Sequence, residues 1–165
     1  MRSMPRLLVV AFMSLGLASP VVGQRADDQI QPKSVELQRE ARALLGAGKL
    51  EQANDVLETA LAVDPRNRGA FVDLARVAEK QHLFGKAFRM TNKALLLEPN
   101  DPDALAVQGE AMVEMGAVAR AQANLQKLQS ICGAKGCPQI AQLSAAISRG
   151  PTVASAKAPE SPKSN

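Results

Sequence analysis

Residues 53–65 read ANDVLETALAVDP, and residues 87–99 read AFRMTNKALLLEP, the same outline 34 positions further on. Ala53 and Ala87 open the two stretches, Ala60-Leu61 and Ala94-Leu95 sit inside them, and Pro65 and Pro99 close them. The step extends outward: Ala41 leads to Ala75 and then Gly109, and Ala87 leads to Ala121. A period of about 34 residues with small residues at fixed places describes stacked helix pairs, each unable to bury its apolar face alone. The expected fold is all-α, a solenoid of three helix–turn–helix repeats with a capping helix at its C-terminal end.

The helical reading follows from apolar spacing and from breakers. Leu37, Ala41, Leu44 and Leu45 lie at helical intervals from Ser34 onward, and Gly46-Ala47-Gly48 ends that helix because glycine accepts the left-handed cap. A second helix spans about 50–63 and stops at Asp64-Pro65, since proline disfavours helical geometry in the residue before it. Asn67 is placed to cap a helix over 68–81, and Phe84 to Leu97 forms its partner. Asp101-Pro102 combines an N-cap with a proline at the first helical position, opening a pair at about 103–115 and 118–131. Pro138 starts a last helix over 138–148, with Ile140, Leu143, Ala146 and Ile147 on one side. That helix has no partner and is expected to cover the open end of the stack.

These residues resemble the tetratricopeptide repeat. Counted from Ser34, the small residue of its eighth place is Ala41, Ala75 and Gly109, and the alanine of its twentieth place is Ala53, Ala87 and Ala121. The later alanine is Ala60 and Ala94, and the proline is Pro65 and Pro99. The third unit departs, with Leu128 for the later alanine and no closing proline. The resemblance divides residues 34–149 into repeats at 34–67, 68–101 and 102–135 and a cap at 138–148. It implies a protein-binding module without enzymatic activity or cofactor, whose first helices line a concave groove.

In that groove the family presents its second, fifth, ninth, twelfth and thirteenth places. Here those are Val35, Gln38, Arg42, Leu45 and Gly46 from the first unit, Gly69, Val72, Arg76, Glu79 and Lys80 from the second, and Asp103, Ala106, Glu110, Val113 and Glu114 from the third. The candidate partner-binding residues are accordingly Gln38, Arg42, Val72, Arg76, Lys80, Glu110 and Glu114. Such a groove is basic toward one end and acidic toward the other. A peptide with an acidic end would lie against Arg42, Arg76 and Lys80, where arginine offers fork geometry to a carboxylate. The alternative is that these charges only solvate an exposed face.

The ends of the chain read differently. Arg2 and Arg6 precede an apolar run from Leu7 to Leu17, too short for a membrane span, and small residues follow. Residues 1–23 therefore read as a secretory signal, cleaved after Gly23 or after Ala18, with export to the periplasm. Gln24 to Lys33 is a polar leader, and residues 150–165 read as a disordered tail of Pro, Ser, Ala and Lys. Without the signal the 20 basic residues become 18 against 16 acidic ones, so the net charge falls from +4 to +2. That balance, with no Trp or Tyr, argues against nucleic acid, which wants a basic stripe and stacking aromatics. No further stretch is long enough to hold a stable membrane span.

Cys132 and Cys137 close a short loop, Cys-Gly-Ala-Lys-Gly-Cys. An even count at close spacing in an exported chain predicts a disulfide, worth about 2 kcal/mol for so short a loop. The spacing does not suit a Cys-x-x-Cys redox pair or haem attachment, and no further zinc ligands are in sight. His82, the single histidine, reads as a turn residue, and Met90, Met112 and Met115 as core. The function expected is an adaptor or scaffold in the bacterial envelope that binds a protein or peptide segment. Its rivals are a self-associating structural protein, with a homo-oligomer as its mark, and an accessory subunit of an envelope enzyme or assembly machine.

Overall fold

The computed structural model describes residues 29–152. The expected signal segment, residues 24–28 of the leader and the tail beyond Thr152 lie outside the described residues. Among the described residues seven α-helices follow one another: α1 (Pro32–Gly46), α2 (Leu50–Val63), α3 (Arg68–Lys80), α4 (Phe84–Leu97), α5 (Pro102–Glu114), α6 (Val118–Cys132) and α7 (Pro138–Arg149). A 3₁₀ turn at Gly133–Lys135 links the last two. The fold is thus an all-α stack of three helix pairs with a seventh helix. Among the described residues, no helix is long and apolar enough to cross a membrane.

Caps fix the helix ends. The Asn67 side chain accepts from the Ala70 amide at 3.1 Å, and Asp101 accepts from the Ala104 amide at 2.7 Å. The first helix begins at Pro32, two residues before Ser34, because proline at a first helical turn gives up only an N–H that has no partner there. Asp64 and Glu98 are extended, as their prolines require.

The small residues set the packing distance. Ala41, Ala53, Ala60, Ala75, Ala87, Ala94 and Ala121 are all fully buried where the two helices of a pair and the next pair meet. In the third unit Leu128 takes the place of the later alanine and is equally buried. Phe71, Phe84, Phe88 and Met90 pack against the alanine core, and Met112 belongs to it. Met115 does not: it stands at the C-terminal end of α5 and is exposed.

The turn inside each pair needs one residue in the left-handed region. Gly48 (φ 73°), His82 (φ 59°) and Gly116 (φ 78°) occupy it in the three repeats. Gly150, 34 positions after Gly116, also has a positive φ, 71°, and here caps α7 directly. Helix α7 is therefore the first helix of a fourth, half-finished repeat. Its outward residues, Ala141, Ser144, Ala145 and Ser148, are exposed and small or polar, which suits a terminal element.

Candidate partner-binding groove

The first helices touch across repeats, α1 on α3, α3 on α5 and α5 on α7, whereas α2, α4 and α6 do not touch one another. The stack therefore curves with α1, α3, α5 and α7 on its inner side. Polar side chains stitch that layer together. Asp73, 1% exposed, accepts from Gln38 Nε2 at 2.7 Å, Arg42 Nε at 2.6 Å and Arg76 Nη1 at 2.9 Å. Arg76 also gives Nη2 to Asp103 at 3.0 Å, and Gln139 of α7 donates to the same Asp103 oxygen at 3.0 Å.

This network changes the expected site. Arg76 spends both terminal nitrogens on Asp73 and Asp103, so it holds repeats together rather than waiting for a ligand. Gln38 is buried against Asp73. Val72, Ala106 and Val113 are buried in the core and offer no lining, because α3 and α5 turn those positions toward their neighbours. Lys80 lies far from Arg42, at the other end of the inner face, where it borders a pocket with Glu110 and Glu114.

Arg42 does face open space. A cleft of about 590 Å³ lies between α1, the start of α3 and the end of α4, lined by Ile30, Val35, Gln38, Arg42, Arg66, Asn67, Arg68, Gly69, Leu97 and Glu98. Each arginine in it is held by an aspartate of low exposure: Arg42 by Asp73, Arg66 by Asp64 at 3.2 Å, and Arg68 by Asp101 at 2.6 Å. Arg42 and Arg68 use only Nε for this, and their terminal nitrogens carry no hydrogen bond among the described residues. Gly69 keeps the floor open, since a Cβ there would run into the Gln38 side chain. The Arg66 hydrogen bond, with the Gln31 amide, holds the Asp64 carboxyl down at about 2.

The second pocket, about 240 Å³, is bordered by Glu79, Lys80, His82, Phe84, Glu110, Glu114, Arg149 and Thr152. Glu79 Oε1 is buried with no partner among the described residues. Burial pushes the Glu79 carboxyl up to about 8, and the Glu110 charge adds to the shift. Burial also raises Glu110, against a hydrogen bond from Gln142 of α7. Glu114 accepts from the Thr152 amide at 2.8 Å and its hydroxyl at 2.7 Å.

Sequence reasoning missed Asp73 and Arg68. Asp73 carried a signal, an acid inside the apolar run Phe71–Ala75. Arg68 carried none, since it stands at the start of a helix, outside the family's groove places. The sulfurs of Cys132 and Cys137 stand at disulfide distance, with Cα atoms 5.7 Å apart.

Comparison with known proteins agrees with this architecture. Residues 44–108 match the tetratricopeptide repeat family. Among curated proteins, none matches this chain by sequence. Several solved structures share the fold. The Sgt2 tetratricopeptide domain of Aspergillus fumigatus has a TM-score of 0.66 at 20% identity, covering 82% of this chain and 88% of its own. The TPR2B domain of yeast Sti1, solved as a complex with pHsp70, has a TM-score of 0.64 at 19% identity, covering 72% and 98%. The Yersinia enterocolitica type III secretion chaperone SycD, in complex with a peptide of the translocator YopD, has a TM-score of 0.62 at 20% identity, covering 74% and 92%.

Proposed function

We propose that this protein is a non-enzymatic adaptor of the bacterial cell envelope, exported to the periplasm, that holds a segment of a protein partner on its inner face. The observation that carries this reading is the cleft beside α1 and α3. Two guanidiniums, Arg42 and Arg68, line it, each held through Nε by an aspartate of low exposure, with terminal N–H groups that carry no hydrogen bond among the described residues. Such a pair suits a carboxylate, which accepts two parallel N–H bonds from one arginine. Val35 and Leu97 on the rim supply apolar surface for the flanking residues of an extended segment. Sti1, solved as a complex with pHsp70, and SycD, solved with a peptide of YopD, have like folds, and that supports the reading. A disulfide between Cys132 and Cys137 agrees with export.

The test is a cross-linking pull-down from an envelope fraction with wild type, Arg42→Glu/Arg68→Glu and Lys80→Glu. A partner captured by wild type and Lys80→Glu but lost in the double variant supports the cleft. Retention by the double variant refutes it. The rival reading, self-association, draws on Leu96 and Leu97, apolar side chains left in solvent at the end of α4, Leu96 at 84% exposure. Sedimentation over a wide concentration range decides between them: a rise in mass that Leu96→Glu abolishes would favour the self-associating protein.

A further inference from the structure

Cys132 is the last residue of α6, and Cys137 is the residue that caps α7, in extended backbone just ahead of Pro138. The two sulfurs thus sit at opposite poles of two helices. The start of α7 carries partial positive charge and favours a thiolate at Cys137, whereas the end of α6 disfavours one at Cys132. Residues 115–152 contain Arg120, Lys127, Lys135 and Arg149 and not one Asp or Glu, while across from them Asp103 of α5 reaches Gln139, two residues past Cys137. Both cysteines are partly exposed. The link between the helices turns at Gly133 and Gly136, both with positive φ that favours glycine.

Helix α7 is bound on the inner face of α5. Leu143 fills the space over Gly109, where a Cβ would come within 2.5 Å of Leu143 Cδ1. Gln139 bonds Asp103, and Thr152, just past α7, bonds Glu114. The inward carboxylates of the third repeat are therefore occupied by this chain's own donors.

We propose that Cys132 and Cys137 form a reversible dithiol–disulfide switch that sets how firmly α7 covers α5, whatever the inner face binds. The reductant is a dithiol. Its thiolate attacks the Cys132 sulfur, the S–S bond breaks, and Cys137 leaves as the better stabilised thiolate. The second reductant thiol then attacks the mixed disulfide and releases Cys132. The dithiol ends as a disulfide, and the protein gains two electrons and two protons. Opening the loop frees α7 to swing at Gly133 and Gly136. The undocked population rises about 30-fold, the equivalent of the about 2 kcal/mol that so short a loop contributes.

Hydrogen exchange on the full chain tests this, comparing the oxidised protein, the same protein after tris(2-carboxyethyl)phosphine, and Cys132→Ser/Cys137→Ser. Amides of residues 142–149 should exchange up to about 30-fold faster in the reduced protein and in the variant, with α1 to α4 unchanged. Equal protection in the two redox states, or a loss of protection spread over all helices, overturns the switch. Two free thiols persisting under mild oxidant overturns it as well. After reduction, iodoacetamide should label Cys137 before Cys132 at neutral pH; equal rates overturn the assigned polarity.

Discussion

At the scale of single residues, His82 is the side chain most at odds with its backbone. It holds φ 59° where the turns of the other two repeats have glycine. A left-handed non-glycine residue costs about 1–2 kcal/mol, so His82→Gly should stabilise the protein. The net gain is smaller, about 0.5–1 kcal/mol, because glycine costs entropy on folding and the edge contact with Phe84 at 5.8 Å is lost. Urea unfolding measures it, and a loss of stability would mean that the contact outweighs the strain. Asp73 is the opposite case, one carboxylate on which Gln38, Arg42 and Arg76 converge. Asp73→Ala strands three donors at a repeat junction and should cost about 2–4 kcal/mol, read in the same assay. Arg42 would also lose its orientation, so partner capture should weaken along with stability. The caps at Asn67 and Asp101 were legible because their effect is local, three residues ahead. Asp73 was not, because two of its three partners lie 35 and 31 positions away and reach it only when α1 stacks on α3.

At the scale of elements, helix starts and stops were legible from proline, glycine and capping residues, and the helix count with them. The meaning of α7 was harder to see. Its place in the repeat is written in Leu143 and Gly150, each 34 positions after a glycine of the third repeat, but half a repeat has no closing proline to announce it. Packing explains why the third repeat uses Gly109 where the earlier ones use Ala41 and Ala75: Leu143 needs the volume of the missing side chain. Gly109→Val should therefore push α7 off α5 and destabilise by about 1–3 kcal/mol. Adding Leu143→Ala to that variant should recover part of the loss, since the smaller side chain makes room for the valine. A double-mutant cycle in denaturant measures the coupling; additive effects would show that the two positions do not compete for one space. The groove was legible as a layer, through the first helix of each pair, but not in detail. Which cations stay available depends on the acids they meet across repeats, and periodicity does not encode that pairing.

For the whole molecule, the inner layer predicts how stability depends on pH. Asp64 titrates at about 2 in the folded state against an ordinary 3.8, so its contribution is complete above that ordinary value and is lost as pH falls through 2. Glu79 works in the other sense. Its folded value near 8 stands above the ordinary 4.5, so between those limits the folded chain holds a proton that the unfolded chain has released. Stability must then fall as pH rises across that window, by at most about 1.4 kcal/mol per pH unit for one such group, and it levels off above 8. Glu110 is raised as well and adds a fall of the same sign. The two limbs together place the stability maximum on the acid side of neutrality, near the ordinary carboxylate range. Glu79→Gln removes the charge that the α3–α5 junction does not satisfy and should flatten most of the fall above pH 5, stabilising the protein at pH 8. Thermal melts of wild type and Glu79→Gln from pH 3 to pH 9 measure this. Parallel curves would mean that Glu79 reaches a cation when it ionises, Lys80 and Arg149 being the candidates on the same pocket. The spread of carboxylates along the inner face thus sets the pH at which the stack is firmest.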